Sequence, residues 1–291
     1  GVVVHKVASE FELVANQLNV LSWQIEAINV QKIVVQLYRN LVAGGCLDFL
    51  PYLAHSLKNL SVNYQNAGWE EEGLQASEDS IAFFRLSCET FPNHDFKPLL
   101  AMALRTHGDA LALSGDDEKA LSFLEDSVQH YNQFWEETQA GTRQTSFTDL
   151  FSSVCANHSY SKVLYRLDRF VESLNAGLNA ALYFSYMTAE ELALHNLRNR
   201  PYWIFMQLQQ ALTSLYFPYS EEERSISFVE QAIDVYRKLV KTDPQRFSPY
   251  LIRLVFAHAF IYFRGKQKDS DAIVIKHDDK TALRDLFDIE L

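Results

Sequence analysis

Small side chains recur at fixed positions along this chain, and their recurrence constrains its fold more than any other feature. The pattern returns at intervals of 46, 47, 53 and 52 residues. One such position holds Ala27, Gly73, Ala120, Ser173 and Ser225. The positions seven residues later and twelve residues earlier also hold nothing larger than Val or Thr. Periods of this length are typical of stacked repeats, and small residues at helical spacing let two helices approach closely.

The composition favours helices joined by short connections. The chain has 291 residues, of which 48% are hydrophobic, and it contains only 10 Gly and 7 Pro. Pro51, Pro98 and Pro249 follow similar sequences and stand where a first helix should begin, because proline costs no hydrogen bond at the first helical position. We therefore predict an all-α protein with a single domain, residues 1–291. The predicted helix pairs are 9–46, 51–92, 98–138, 147–188, 201–242 and 249–276, followed by a tail or cap at 277–291.

Aromatic residues recur eleven positions after the small position in the second helices. They are Tyr38, Phe84, Tyr131, Phe184 and Tyr236. We expect these rings to fill the gap between one repeat and the next. The long third interval is explained by residues 139–146, which are rich in Gly, Thr and Gln and are predicted to form an exposed loop.

The placement of the small residues resembles the tetratricopeptide repeat (TPR). In the clearest copy, Gly108 comes seven residues before Gly115, which is followed by Ala120 across the turn. The usual period is 34 residues, so the repeats here are longer, similar to those of kinesin light chains and of fungal tandem-repeat signalling proteins. The resemblance covers about residues 9–264, although Asp168 and Ser220 replace the turn glycine. It implies a right-handed α-solenoid of antiparallel helix pairs, whose concave face is lined by first helices and binds peptides or partner proteins.

Bulk charge and motifs narrow the classes of function. The net charge is −11 and the isoelectric point is about 5.3, which argues against a nucleic-acid binder. The chain contains no phosphate-binding glycine loop and no sequence motif of a hydrolase or metalloenzyme. Three widely spaced cysteines indicate reduced core thiols, and no His or Cys spacing suits a metal. We therefore expect a cytoplasmic protein that uses neither cofactor nor metal and does not act on membranes.

The candidate functional residues come from projecting the first helices onto the concave side, as the resemblance implies. The face so obtained is basic, although the whole chain is acidic, and this predicts an acidic ligand. A solvated face with chance polarity is the alternative. The candidate binding residues are His55, Lys58, Asn66, Arg105, Asp109, His158, Lys162, Tyr165, Arg166 and Arg253, with Gln65, Gln207, Gln210 and Arg264 beside them.

Some proteins of the resembled family hold a peptide's C-terminal carboxylate between Lys, Asn and Arg side chains. Lys58 and Arg105 match two of those positions, whereas Val62 stands where the Asn would be expected. The resemblance thus implies a carboxylate site that keeps the Lys and Arg but lacks the Asn. The chain's own acidic and apolar end, residues 283–291, is a candidate occupant of the same groove.

Three functions follow from these observations. The first is a protein-interaction scaffold or sensor module that binds an acidic or C-terminal peptide in the groove. The second is a regulatory, ligand-sensing segment of a larger signalling NTPase or receptor. The third is an all-α enzyme with its active site in the superhelix, which would use His158, Tyr165 and Asp109.

Overall fold

A computed structural model describes residues 1–185 and the single positions 233, 237, 240, 241 and 251. Residues 1–185 contain eight α-helices and one 3₁₀ turn at Leu47–Phe49, and no strand occurs among them. The helices are α1 Val2–Val20, α2 Gln24–Ala43, α3 Leu50–Asn66, α4 Glu70–Thr90, α5 Lys97–Leu113, α6 Asp117–Gln139, α7 Phe147–Arg166 and α8 Phe170–Ser185.

The helices pack as four consecutive pairs, α1 with α2, α3 with α4, α5 with α6, and α7 with α8. Only three residues separate the two helices of each pair, so the partners run antiparallel. Helices α2, α4 and α6 each also pack against the first helix of the next pair, and α5 contacts both α3 and α7. The predicted all-α solenoid of helix pairs is confirmed over these residues.

The first pair begins earlier than predicted. Helix α1 starts at Val2, whereas the sequence predicted a start at residue 9. The additional turns are held by Ala8, which is fully buried in the apolar cluster that contains Ile28 and Val35. They also bring His5 to Tyr38, where the imidazole Nδ1 lies 2.9 Å from the phenol oxygen.

The small positions lie where paired helices touch. A Cβ atom added to Gly108 would lie 2.6 Å from Cγ of Leu124, closer than real Cβ contacts. In the preceding repeat the Ser61 hydroxyl donates to the Gly73 carbonyl oxygen at 2.7 Å. The small residues therefore permit the close approach that their spacing predicted.

Two serines at the small position seven residues further along the second helices join α4 and α6 to the first halves of their partners, α3 and α5. Ser80 donates from Oγ to the Ala54 carbonyl at 2.8 Å, and Ser127 does the same to Ala101 at 2.7 Å. Both hydroxyls are buried, so the hydrogen bonds remove the cost of burying them.

The recurring aromatic residues fill the joints between repeats. Tyr38, Phe84 and Tyr131 are each at most 1% exposed. Tyr38 belongs to a cluster with Leu53 of the following repeat, and Phe84 belongs to one with Leu104. The expectation is confirmed for these three rings; Tyr236 and the side chain of Phe184 lie outside the described residues.

Turns and helix starts follow the sequence signals. Pro51 and Pro98 lie in the first turns of α3 and α5. Gly115 has a φ of +86°, and Asp168 takes the equivalent turn with a φ of +58°. Asp is among the few side chains that tolerate this left-handed region, which explains how it replaces glycine there.

The long loop between α6 and α7 is mostly exposed, as predicted, and Arg143 anchors it to the neighbouring residues. The Arg143 guanidinium donates to Asp95 at 2.7 Å and lies 4.2 Å from the ring centroid of Phe134. Ser146 and Asp149 then form a capping box that starts α7. The loop is therefore anchored to the preceding repeat.

The three cysteines are free thiols, but they are not all core residues. Cys46 is exposed in the turn after α2, and Cys88 and Cys155 are half-buried. The prediction of reduced thiols is retained, and the prediction of core positions is wrong for Cys46, because the turn places it beyond the packed end of α2.

Packing divides the chain into two compact units, residues 1–214 and 215–291. The eight helices belong to the first unit. In the second, Ile233 and Leu251 are buried helical positions. The predicted pairs at 201–242 and 249–276, the tail at 277–291 and the single continuous domain stay predictions, since these stretches lie almost wholly outside the described residues.

Candidate ligand-binding face

One repeat position brings charged and polar side chains of successive first helices into line. It lies three residues before the small position of the first helix and holds Glu12, Lys58, Arg105 and His158 on α1, α3, α5 and α7. We call the surface formed by these residues and their neighbours on the same helices the first-helix face. Neighbouring first helices pack side by side from α3 to α7, so equivalent positions become neighbours.

Lys58 is a half-buried cation on this face. Its Nζ lies 3.4 Å from Sδ of Met102 on α5. Among the described residues, no carboxylate oxygen is within salt-bridge distance of this ammonium group. Burial lowers the pKa of Lys58 to about 8, and the Arg105 guanidinium acts in the same direction, whereas the Glu12 carboxylate opposes them. The environment therefore disfavours the charge that Lys58 carries at neutral pH.

Arg105 stands beside Lys58 and is only partly neutralised. Its Nη1 donates to Oδ2 of Asp109 at 2.6 Å, and the two side chains are 25% and 29% exposed. Burial alone would lower the pKa of Arg105, but the Asp109 carboxylate, with smaller contributions from Cys155 and Tyr131, outweighs burial and the pKa is raised. Asp109, a predicted binding residue, thus serves to hold Arg105. The remaining donors of the guanidinium have no acceptor among the described residues.

Glu12 belongs to this face and was missed by the sequence reasoning. Its Oε1 accepts hydrogen bonds from Ser56 Oγ at 3.1 Å and from Asn59 Nδ2 at 3.2 Å. These bonds fix the carboxylate against α3, where it partly offsets the positive charge of Lys58. The signal was present in the sequence, because Glu12 precedes Ala15 by the same three residues that separate Lys58 from Ser61.

The two histidines of the face are neutral near pH 7. Burial lowers the pKa of His55 to about 4, with a contribution from the Lys58 ammonium. Burial also lowers the pKa of His158 to about 3, with contributions from Lys162 and Arg105. An imidazole with so low a pKa is a weak general base, so His158 is poorly suited to the catalytic role considered from the sequence.

The other predicted binding residues that the structure describes do not join the cluster around Lys58 and Arg105. Arg166 donates through Nε and Nη2 to the two carboxylate oxygens of Asp117 at the start of α6, so it ties α7 to α6. Asn66 and Lys162 are exposed, and Tyr165 is half-buried. Arg253, Gln207, Gln210 and Arg264 lie outside the described residues. The structure therefore brings together His55, Lys58, Arg105, Asp109 and His158 as one cluster.

A pocket of about 690 Å³ opens beside this cluster, toward the N-terminal ends of α3 and α5. Its size is in the range of small-ligand sites. Seven of its lining residues carry aromatic rings, and its only charged lining residues are Glu12 and Asp48. The lining residues are His5, Ser9, Glu12, Tyr38, Asp48, Pro51, Tyr52, His55, Phe91, His94, Phe96 and Leu99.

The rings of the pocket form two groups. On one wall, His5 meets the edge of Tyr52 with centroids 4.5 Å apart, and Tyr52 stacks on Tyr38 at 5.8 Å. On the other wall, His94 stacks on Phe96 at 5.9 Å in the connection between α4 and α5. His55 lies in this pocket and is one helical turn from Lys58, so the pocket and the cation pair are contiguous.

The described part of the chain offers neither a metal site nor a membrane-spanning helix. Within residues 1–185 and the five single positions, no group of three or more His, Cys, Asp or Glu side chains is arranged to hold a metal ion. No helix in the same part of the chain is both long and apolar enough to cross a membrane.

Comparisons with known proteins were made for the whole chain. No family model matches it, and no curated protein matches its sequence. Solved structures do match, with probability 1.00. They include BtubC (BKLC) from P. vanneervenii, with 12% identity, a TM-score of 0.44, and coverage of 87% of this chain and 95% of that one.

Two other matched structures are described as TPR or TPR-like. The TPR-like repeats of a putative kinesin light chain from Podosopora anserina show 16% identity and a TM-score of 0.35, over 76% of this chain and 99% of that one. The TPR2AB domain of yeast Sti1, in a complex with pHSP90, shows 10% identity and a TM-score of 0.34, over 88% and 99%. The chain resembles TPR-like repeat proteins. At these values the resemblance concerns helical-repeat architecture and extends to no ligand or partner.

Proposed function

We propose that the chain is a protein-interaction scaffold whose first-helix face binds a carboxylate of a partner between Lys58 and Arg105. The carboxylate is the C terminus of a peptide or an acidic side chain. The observation that supports this most directly is the half-buried Lys58 ammonium, which has no carboxylate within salt-bridge distance among the described residues. A partner anion would supply that group.

The repulsion between Lys58 and Arg105 favours a ligand anion that reaches both of them. Arg105 lowers the pKa of Lys58, which means that the two cations repel each other across the α3–α5 boundary. A carboxylate that reaches both would convert the repulsion into two charge-assisted hydrogen bonds, each contributing about 1.5–3 kcal/mol. The half-buried setting strengthens these bonds, because water screens them less than it would at an open surface.

The neighbouring groups allow a peptide to lie along the face. His55 and His158 flank the cation pair as neutral imidazoles, which can hydrogen-bond a peptide backbone without adding charge. Lys162 is exposed on α7 and can attract further acidic residues of a partner. The ligand that suits this arrangement is a short extended segment that ends in, or contains, a carboxylate.

The other sequence-based functions remain predictions. A regulatory segment of a larger NTPase or receptor is compatible with the same binding face, and an enzyme in the superhelix has lost support through the low pKa of His158. Occupation of the face by residues 283–291 concerns residues outside the described part of the chain. Cytoplasmic localisation and the absence of nucleic-acid binding stay predictions as well.

The test is a peptide array probed with the full chain at pH 7. Every peptide is synthesised twice, once with a free C-terminal carboxylate and once with a C-terminal amide. Acidic side chains are varied at internal positions in both sets. We expect the strongest peptides to lose about tenfold in affinity on amidation or on replacing one internal acid by its amide, which is equivalent to about 1.4 kcal/mol.

Three variants assign the effect to the proposed site. Lys58→Gln and Arg105→Gln should remove the preference for the charged form of each peptide. Arg85→Gln is the matched control, since Arg85 is an exposed cation on α4 and away from the first helices. An equal preference in the wild type and in both site variants would contradict the proposal.

A further inference from the structure

We propose that the aromatic pocket beside the cation pair binds a basic side chain, with a guanidinium or alkylammonium head, of the partner peptide. The pocket takes a cation because its lining combines stacked rings with carboxylates and contains no Lys or Arg. That the cation comes from a peptide rests on the proposed function. The binding of the cation itself does not.

The rings supply the first part of the argument. Tyr52 lines the pocket and is 46% exposed, and its contacts with both His5 and Tyr38 hold the ring in place. Phe91 and Phe96 meet edge to face at 6.2 Å across the pocket's opposite wall. Aromatic faces attract cations through their quadrupole, and planar guanidinium groups also stack on them.

The carboxylates supply the second part. Asp48 is exposed in the 3₁₀ turn before α3, at the edge of the pocket. Glu12 uses Oε1 for Ser56 and Asn59, and its Oε2 has no hydrogen-bond partner among the described residues. Both charges are negative, and the neutral imidazole of His55 does not oppose them. A cationic head is thus the complement of the pocket's charge and of its aromatic lining.

Glu12 lies at the boundary between the two sites. It lines the pocket and also acts on Lys58, which is three residues from His55 on the same helix. Three residues of α-helix rise about 4.5 Å, and an extended peptide advances about 3.3 Å per residue. A peptide carboxylate at Lys58 and a basic side chain in the pocket are therefore one or two peptide residues apart.

The test uses acetyl-arginine-amide, which carries the guanidinium but no carboxylate, and acetyl-citrulline-amide as its neutral counterpart. Both are titrated into the full chain, and binding is followed by NMR of ring protons. We expect millimolar binding of the arginine compound, at least about fivefold tighter than that of the citrulline compound, as cation–π attraction and a carboxylate together would give.

Two pocket variants and two controls assign the site. Asp48→Asn and Tyr52→Leu should each weaken the arginine compound by about threefold. The controls Asp126→Asn and Phe11→Leu change an exposed acid on α6 and an exposed ring on α1 that do not line the pocket, and should leave it unchanged. If Tyr52→Leu fails to fold, Asp48→Asn decides alone, because Asp48 is a surface residue.

Equal affinity for the arginine and citrulline compounds would overturn the pocket proposal, and so would binding that neither pocket variant weakens. Lys58→Gln separates this result from the proposed function. It should abolish the preference for free carboxylates on the peptide array and should not weaken acetyl-arginine-amide. If Lys58→Gln keeps the preference for free carboxylates, the proposed function fails and the cation pocket stands. If the wild type binds the arginine and citrulline compounds equally, the cation pocket fails and the carboxylate site stands.

Discussion

Polar residues have opposite environments in two regions of the molecule. One region is the interface within each helix pair, and the other is the first-helix face. Between the helices, the Ser61 and Ser80 hydroxyls are fully buried and each donates to a backbone carbonyl of the partner helix. On the first-helix face, Lys58 is half-buried beside a second cation and meets no carboxylate at salt-bridge distance among the described residues.

This difference separates residues that build the fold from residues that remain available to a ligand. A buried hydroxyl with a hydrogen bond costs little, whereas a partly desolvated ammonium with no carboxylate at salt-bridge distance lowers the stability of the fold. Arg166, by contrast, is a cation that the fold itself neutralises, because it pairs with both carboxylate oxygens of Asp117. Lys58 is the exception that the proposed function explains.

The largest expected effect concerns the contact between helices. Gly108→Ala places a methyl group 2.6 Å from Cγ of Leu124, so the helices must separate and the free energy of unfolding should fall by about 2 kcal/mol. Gly73→Ala is the matched control, because its nearest neighbour is the flexible Gln65 side chain at 3.3 Å. Urea unfolding should show a change within about 0.5 kcal/mol for Gly73→Ala, and equal losses in both variants would contradict the assigned packing.

The next effect compares two cations. Lys58→Gln should weaken a carboxylate peptide by about tenfold and leave the free energy of unfolding unchanged or higher, because a poorly solvated charge is removed. Arg166→Gln should leave peptide binding unchanged and lower the free energy of unfolding by at most about 1 kcal/mol, as an exposed ion pair does. Calorimetric titration and urea unfolding of the two variants measure both quantities. A reversed pattern would show that Arg166, not Lys58, carries the binding.

The pH dependence of Lys58 runs in opposite directions for binding and for stability. Its pKa is about 8 in the folded chain, against an ordinary value of 10.5. Between these values the unfolded chain holds one more proton, so the free energy of unfolding should rise with pH over that window. Peptide affinity should fall as pH rises through 8, since the ammonium that binds the carboxylate is lost. Lys58→Gln should abolish both trends, and their persistence in that variant would assign them to other groups.

Histidine titration gives a smaller effect at acid pH. Burial holds the pKa of His55 near 4 and that of His158 near 3, against an ordinary value of 6.5. The stability that these neutral imidazoles contribute is present above pH 6.5 and is lost as pH falls toward those values. Unfolding measured from pH 7 to pH 4 should show a shallower decline in His55→Gln than in the wild type. An identical decline would show that burial of His55 does not shift its pKa.

The smallest effect concerns Glu12. Glu12→Gln keeps the oxygen that accepts from Ser56 and Asn59 but removes the negative charge beside Lys58. At pH 6.5, where Lys58 stays protonated, a carboxylate peptide should bind about two- to threefold more tightly, because a like charge is gone. The same variant should weaken acetyl-arginine-amide. Tighter binding of both ligands would contradict the position assigned to Glu12 between the two sites.

The architecture was readable from the sequence because its signals repeat. Small residues at Gly108 and Ala120, and rings at Tyr38 and Phe84, occur once per pair, so each copy supports the others. The candidate face was predicted only in part. Lys58 and Arg105 were found by analogy, whereas the pairing of Asp109 with Arg105 depends on rotamers, and Arg166 faces a helix start that lies 49 residues away in the sequence.

The aromatic pocket could not have been predicted from the repeat. Tyr38, Pro51 and Glu12 occupy repeat positions, but the rest of its lining includes the early turns of α1, the 3₁₀ turn and the connection between α4 and α5, which lie outside the repeating pattern. The sequence also predicted a first helix that begins at residue 9, which would have left out His5. Irregular segments of this kind leave no periodic signal, so only their three-dimensional placement shows what they enclose.

The central claim is that the half-buried Lys58 ammonium binds a ligand carboxylate, and the pKa of Lys58 tests this most directly. The ammonium can be titrated by NMR through the neighbouring ¹³Cε, first in the free chain and then with added acetate. The account predicts a pKa of about 8 without acetate and a rise toward 10.5 with it, as a bound carboxylate favours the protonated form. A pKa near 10.5 in the free chain, or one near 8 that acetate does not move, would contradict it.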